Sequence, residues 1–70
     1  MITANEVMAE INKSDPASGT MLKMGGVLTV DPRAVWFHAT EPLAEAWVEK
    51  AWKRLDELTQ EKFNLPFYRR

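Results

Sequence analysis

The chain has 70 residues, of which 46% are apolar and 27% charged, and its formal net charge is −1. That length allows one domain at most, in a size range where a single core gives marginal stability. The chain has no cysteine, which excludes disulfides, thiolate zinc sites and iron–sulfur clusters. We therefore predict one small folded domain over residues 1–70, with a core supplemented by close packing or by another protein surface.

The charge balance gives no global positive field that would attract nucleic acid or anionic lipid. The first residues lack the basic start and apolar run of a secretory signal, and no apolar run is long enough to span a bilayer. We expect a cytoplasmic protein with no membrane partner. Its small size and lack of cysteine fit a bacterial or bacteriophage accessory protein.

The first predicted element is a short helix that starts at Thr3. Thr3 and Glu6 have the spacing of a capping box. An apolar stripe follows at helical spacing, formed by Ala4, Val7, Met8 and Ile11. Residues 14–19 concentrate turn formers and a proline, so we expect the helix to end near Lys13 and a surface loop to follow.

The next stretch changes to a β-prone pattern. Residues 20–24 and 27–30 flank Gly25 and Gly26. Two adjacent glycines permit the positive φ angles of a tight turn. We therefore predict a β-hairpin centred on the two glycines.

A second turn is predicted at residues 31–33, where proline fixes the backbone, and residues 34–39 are a candidate third strand. Alternation along that strand places Trp36 and His38 on one face. The opposite face would carry Val35, Phe37 and Ala39.

Residues 40–63 are predicted to form a long helix. Thr40 offers a capping oxygen, and Pro42 is tolerated in a first turn. The apolar side chains of this helix cover an arc of roughly 180°, which is wider than the rest of the chain is expected to cover. They are Leu43, Ala44, Trp47, Val48, Ala51, Trp52, Leu55 and Leu58. Residues 64–70 follow as a C-terminal tail.

This element order predicts a two-layer α+β domain, α-β-β-(β)-α. A small antiparallel sheet would be packed by a short N-terminal and a long C-terminal helix.

The wide apolar arc divides into a core part and a candidate interface. Trp47, Ala51, Leu55 and Leu58 are assigned to the core. The candidate partner-binding residues are Trp52 and Phe63, the adjacent acidic row of Glu45, Glu49 and Asp56, and Trp36 and His38 on the exposed sheet face. Trp52 fits intramolecular packing about equally well, and the width of the arc favours an interface.

No catalytic, cofactor or metal signature is present. His38 is the only histidine, no ligand-like spacing surrounds it, and the two central glycines do not form a phosphate-binding loop. We therefore predict no catalytic residue, no cofactor and no metal.

These features favour a non-catalytic protein–protein interaction module, such as a small adaptor, inhibitor or assembly subunit. It would self-associate or dock through the long helix.

The alternative is a nucleic-acid-associated module, because aromatic side chains stack on bases while cations bind phosphates. Its residues would be Phe67, Tyr68, Arg69 and Arg70, with Lys50, Arg54 and Lys62. Phe63, Leu65 and Phe67 could instead fold back onto the core and leave the arginines in solvent.

Overall fold

The computed structural model describes residues 1–70 as three α-helices and three β-strands. Their order is α1 (Ala4–Ser14), α2 (Pro16–Gly25), β1 (Gly26–Val30), β2 (Val35–Ala39), α3 (Pro42–Phe63) and β3 (Phe67–Arg69). The three strands form one sheet in the order β1-β2-β3. Strand β1 runs antiparallel to β2, whereas β3 runs parallel to it. The predicted α+β fold is confirmed, and its sheet is mixed because the C-terminal tail adds a strand.

Helix α1 begins as predicted and is followed directly by a second helix. The Thr3 hydroxyl accepts the backbone N–H of Glu6 at 3.2 Å, and α1 ends at Ser14. The loop predicted for residues 14–19 is wrong. Asp15 caps α2, because its carboxylate accepts the backbone N–H of Ser18 at 3.4 Å and the Ser18 hydroxyl at 2.6 Å.

The hairpin predicted around Gly25 and Gly26 is also wrong. Residues 20–24 lie in α2, and no glycine has a positive φ. Both glycines instead allow close approach. A Cβ on Gly25 would overlap the Cβ of Ala44 in α3, and one on Gly26 would lie 2.6 Å from Cζ of Phe37. The glycines therefore bring α2 and β1 against their neighbours rather than turning the chain.

The β-hairpin is formed one element later, by β1 and β2. Asp31 closes its turn, because Oδ1 accepts the backbone N–H groups of Arg33 at 2.7 Å and Ala34 at 2.8 Å. The Asp31 N–H donates to the Ala34 carbonyl at 3.0 Å. The turn predicted at residues 31–33 and the strand predicted at 34–39 are both confirmed.

The long helix is confirmed, although its cap differs from the prediction. Glu41 is the N-cap residue and makes no side-chain capping bond. Thr40 instead donates its N–H and its hydroxyl to the Gly25 carbonyl, at 2.8 and 3.0 Å. The helix ends at Phe63, and Asn64 takes a left-handed conformation with φ 57°, which asparagine tolerates better than most residues.

The three helices cover one face of the sheet, and the core lies between the two layers. None of these helices combines the length and apolarity needed to cross a membrane. The predicted core residues of α3 contribute as expected: Leu55 is buried, and Trp47, Ala51 and Leu58 pack against the core. The buried cluster is Val7, Ile11, Leu22, Val35, Phe37, Ala44, Val48, Leu55, Leu65 and Phe67.

Candidate functional site

Two of the candidate partner-binding residues on α3, Trp52 and Asp56, have an intramolecular role. The Trp52 indole Nε1–H donates to the Phe67 carbonyl at 2.8 Å. The Asp56 carboxylate accepts the Phe67 backbone N–H at 2.9 Å. Phe67 itself is fully buried. Trp52 and Asp56 therefore fix the C-terminal strand to α3, although 39% of Trp52 stays exposed.

The other candidate partner-binding residues on α3, Phe63, Glu45 and Glu49, do not form a continuous apolar surface. Phe63 is half-buried and packs against the core. Glu45 is exposed, and Glu49 lies 3.5 Å from the guanidinium of Arg69. The structure does not gather these residues with Trp36 and His38, which lie on the far side of the sheet.

The most exposed part of the apolar arc lies at the start of α3. Leu43 is 75% exposed, and Met24 at the end of α2 is 77% exposed. Both line one shallow cleft between the two helices. The arc is thus wider than the core requires, as the sequence indicates. Its exposed members are Leu43 and, to a smaller extent, Trp52, whereas Phe63 is half-buried.

The sheet face that points away from the helices is open. It carries Val27, Thr29, Trp36, His38 and Tyr68, which we call the outer face. Pairing aligns Thr29 with Trp36 and Trp36 with Tyr68, so these three side chains form one row across the sheet. His38 pairs with Val27 in the next row. Trp36 and His38 therefore share an exposed face, as predicted.

Trp36 lies at the centre of the outer face, and its indole ring contacts the side chains of Asp31, Tyr68 and Arg70. Its Nε1–H donates to Oδ2 of Asp31 at 2.7 Å. The Tyr68 ring lies beside it, with ring centroids 5.1 Å apart and planes tilted by 41°. The Arg70 guanidinium carbon lies 4.5 Å from the Trp36 ring centroid, within range of a cation–π interaction. These contacts define a preformed cluster, Trp36–Tyr68–Arg70.

Asp31 links the hairpin turn to this cluster. The backbone N–H of Arg33 and the indole N–H of Trp36 both lower the pKa of the Asp31 carboxyl, because they stabilise its charged form. The carboxylate therefore stays ionised at neutral pH and orients the Trp36 ring. A single acidic residue thus fixes both the turn and the central aromatic side chain.

The outer face also carries two polar side chains, Thr29 and His38, and the exposed side chain of Val27. Nε2 of His38 and the Thr29 hydroxyl share a hydrogen bond at 2.9 Å. Val27 is 55% exposed and Tyr68 is 43% exposed. No group of three or more histidine, cysteine, aspartate or glutamate side chains is arranged to hold a metal ion. The face therefore offers apolar, aromatic and cationic contacts.

Tyr68 and Arg70 are the members of the Trp36–Tyr68–Arg70 cluster whose placement the sequence interpretation missed. The tail does fold back, with Leu65 and Phe67 buried as one alternative proposed. It then continues as β3, and the Arg70 N–H donates to the Phe37 carbonyl at 2.8 Å. Alternation after the buried Phe67 turns Tyr68 towards Trp36. Tyr68 and Arg70, which the nucleic-acid alternative uses, therefore lie beside Trp36, which the sequence interpretation assigns to partner binding.

Comparison with known proteins gives no independent guide to this site. No family model matches the chain, and neither the curated proteins nor the solved structures searched include a significant match.

Proposed function

We propose that this protein is a non-catalytic interaction module that binds another protein through the outer face of its sheet. The observation that carries the proposal is the Trp36–Tyr68–Arg70 cluster on a face that no helix covers. Tryptophan, tyrosine and arginine are the residue types most enriched among interface hot spots. The role remains that of a small adaptor, inhibitor or assembly subunit, with a cytoplasmic location as the accompanying prediction.

The cluster is suited to binding because its side chains are already held in place. Asp31 fixes the indole at 2.7 Å, and pairing between β2 and β3 fixes the position of Tyr68. Ordering a flexible side chain on binding costs about 0.5 to 1.5 kcal/mol, and much of that cost is already met when the domain folds. Rigid aromatic groups therefore give this small face more affinity than its area alone suggests.

The charges beside the cluster indicate the chemistry of the partner. Arg33 is exposed at the hairpin turn and Arg70 lies over Trp36, whereas the nearby carboxylate of Asp31 is already used by three N–H donors. A partner surface with apolar or aromatic groups and an acidic border would complement this arrangement.

The proposal is tested by affinity isolation from the cells that produce the protein. The outer-face variant is Tyr68→Ala with Arg70→Ala. The matched control is Lys53→Ala with Glu57→Ala, which alters exposed residues on the far side of α3. A specific protein should be recovered by wild type and control and lost by the outer-face variant. Equal recovery by all three, or no specific protein with wild type, would contradict the proposal.

A second candidate function is binding of single-stranded nucleic acid by the same face. It is favoured by Trp36 and Tyr68 lying on neighbouring strands of an open sheet with Arg70 beside them, because bases stack on such aromatics. Titration with a labelled oligonucleotide at about 50 and 200 mM salt separates the two functions, since phosphate binding weakens steeply with salt. A saturating, salt-sensitive signal that is lost with Tyr68→Ala would favour nucleic acid over a protein partner.

A further inference from the structure

The outer edge of β1 has unpaired backbone groups. Gly25 accepts a backbone bond from Thr40 at one end of the β1–β2 ladder, and Asp31 donates one to Ala34 at the other. Bonded pairs alternate in an antiparallel ladder, so Val27 and Thr29 point their N–H and C=O groups towards β2. The same groups of Gly26, Leu28 and Val30 point away from the sheet.

Nothing within the chain satisfies this edge. The backbone bonds outside the helices and strands do not involve Gly26, Leu28 or Val30, and no side chain bonds to their backbone. The strand also has no charged residue and no proline in its sequence Gly-Val-Leu-Thr-Val, and these are two of the devices that protect edges in other sheets. An open, neutral edge of this kind is a template for another strand.

We propose that a second copy of this chain covers the edge, with the two β1 strands antiparallel about a twofold axis at Leu28. In this register Leu28 pairs with Leu28 of the second copy, and Gly26 pairs with Val30 of the second copy. Every outward N–H then faces an outward C=O, and no group of either strand is left over. The pairing is self-complementary, as a twofold interface requires.

The side chains beside the β1 edge are also suited to contact with a second copy of the chain. On the helix side, Met8, Leu22 and Leu28 line a cleft of about 500 Å³ between α1 and β1, and Leu28 of the second copy falls at this cleft. On the outer face, Val27 lies opposite Thr29 of the second copy. The 55% exposed Val27 would thereby lose solvent contact. The result is a continuous six-stranded sheet.

This inference concerns the free edge of β1 and not the Trp36–Tyr68–Arg70 cluster, so it goes beyond the proposed function. The dimer places two outer faces side by side and leaves each Trp36–Tyr68–Arg70 cluster open. Tyr68→Ala with Arg70→Ala should therefore leave the dimer intact, whereas edge variants should dissociate it. Failure of one proposal is thus distinguishable from failure of the other.

The test compares two variants that change the same two positions. Val27→Lys with Thr29→Lys places introduced lysines directly opposite each other across the twofold axis, and like charges at that spacing repel. Val27→Lys with Thr29→Glu places opposite charges there instead. Both remove the Thr29–His38 hydrogen bond equally. Sedimentation should show dimers for wild type and the Lys/Glu variant and monomers for the Lys/Lys variant.

The proposal is overturned if wild type stays monomeric at the highest soluble concentration, or if the Lys/Lys variant associates as well as the Lys/Glu variant. Amide hydrogen exchange of wild type tests it without substitution. Exchange at Leu28 and Val30 should slow as protein concentration rises, while Val27 and Thr29 are protected by β2 at every concentration. Exchange at Leu28 that does not depend on concentration would also overturn it, and an extended peptide would then be the occupant to test.

Discussion

Trp52 donates its indole N–H to the main-chain carbonyl of Phe67 at 2.8 Å, which ties the middle of α3 to the last strand of the sheet. Asp56, one helical turn later, accepts the N–H of the same residue at 2.9 Å. Because both backbone groups of Phe67 are satisfied by α3, the strand takes a fixed register beside β2. Tyr68 is thereby placed next to Trp36, so the outer face depends on contacts that α3 makes with the edge of the sheet at β3.

Asp56→Ala should destabilise the fold through β3. It leaves the N–H of the buried Phe67 without its acceptor, and an unsatisfied buried donor costs about 1 to 3 kcal/mol. The free energy of unfolding from urea titration measures this loss. Glu57→Ala, at the exposed neighbouring position, is the control and should change stability little. Equal effects of the two substitutions would show that Asp56 does not support β3.

Gly25→Ala should destabilise the contact between α2 and α3. The added methyl would overlap the Cβ of Ala44, and overpacking of this kind costs about 1 to 3 kcal/mol. Adding Ala44→Gly removes the opposing methyl and should recover part of the loss. The four unfolding free energies form a double-mutant cycle with a coupling of about 0.5 to 3 kcal/mol. Strictly additive effects would contradict the close approach.

Acidification should weaken the fold through Asp15 and Asp31. Bonds from the Ser18 hydroxyl and from Arg54 lower the pKa of Asp15, and the Arg33 backbone N–H and the Trp36 indole lower that of Asp31. A folded-state pKa below the unfolded value of about 3.9 means that the unfolded chain binds more protons between the two values. The contribution to stability is therefore present above about pH 4 and is lost as pH falls through the folded-state pKa.

Urea unfolding between neutral and acidic pH checks this dependence. Asp31→Asn should make the acid loss shallower than in wild type, because one of the two titrating carboxyls is gone. An unchanged slope for Asp31→Asn would contradict its role in the turn.

The elements with strong local signals could be predicted from the sequence. The α3 helix has a proline in its first turn and a repeating apolar pattern. Both features predict the helix that the structure contains, because the apolar side chains of that pattern pack into the core. Helix α2 was predictable in principle. Asp15 and Pro16 are as typical of a helix start as of a turn, and the adjacent glycines favoured the turn interpretation that proved wrong.

The placement of β3 could not be read from local pattern. Three residues pair parallel to β2 only because α3 carries the chain back along the sheet and offers Trp52 and Asp56 to Phe67. Such contacts join residues far apart in the sequence. The open face with Trp36 and His38 was predictable from alternation alone, whereas the arrival of Tyr68 and Arg70 beside Trp36 required the tertiary fold.

Site-directed photo-crosslinking tests the central claim, that a protein partner binds the outer face, most directly. A photoreactive phenylalanine replaces either Tyr68 on the outer face or Lys53 on the exposed side of α3, in the cells that produce the protein. The account predicts a discrete, nuclease-resistant protein adduct from position 68 and none from position 53. Adducts from position 53 alone, or an adduct from position 68 that nuclease removes, would contradict it.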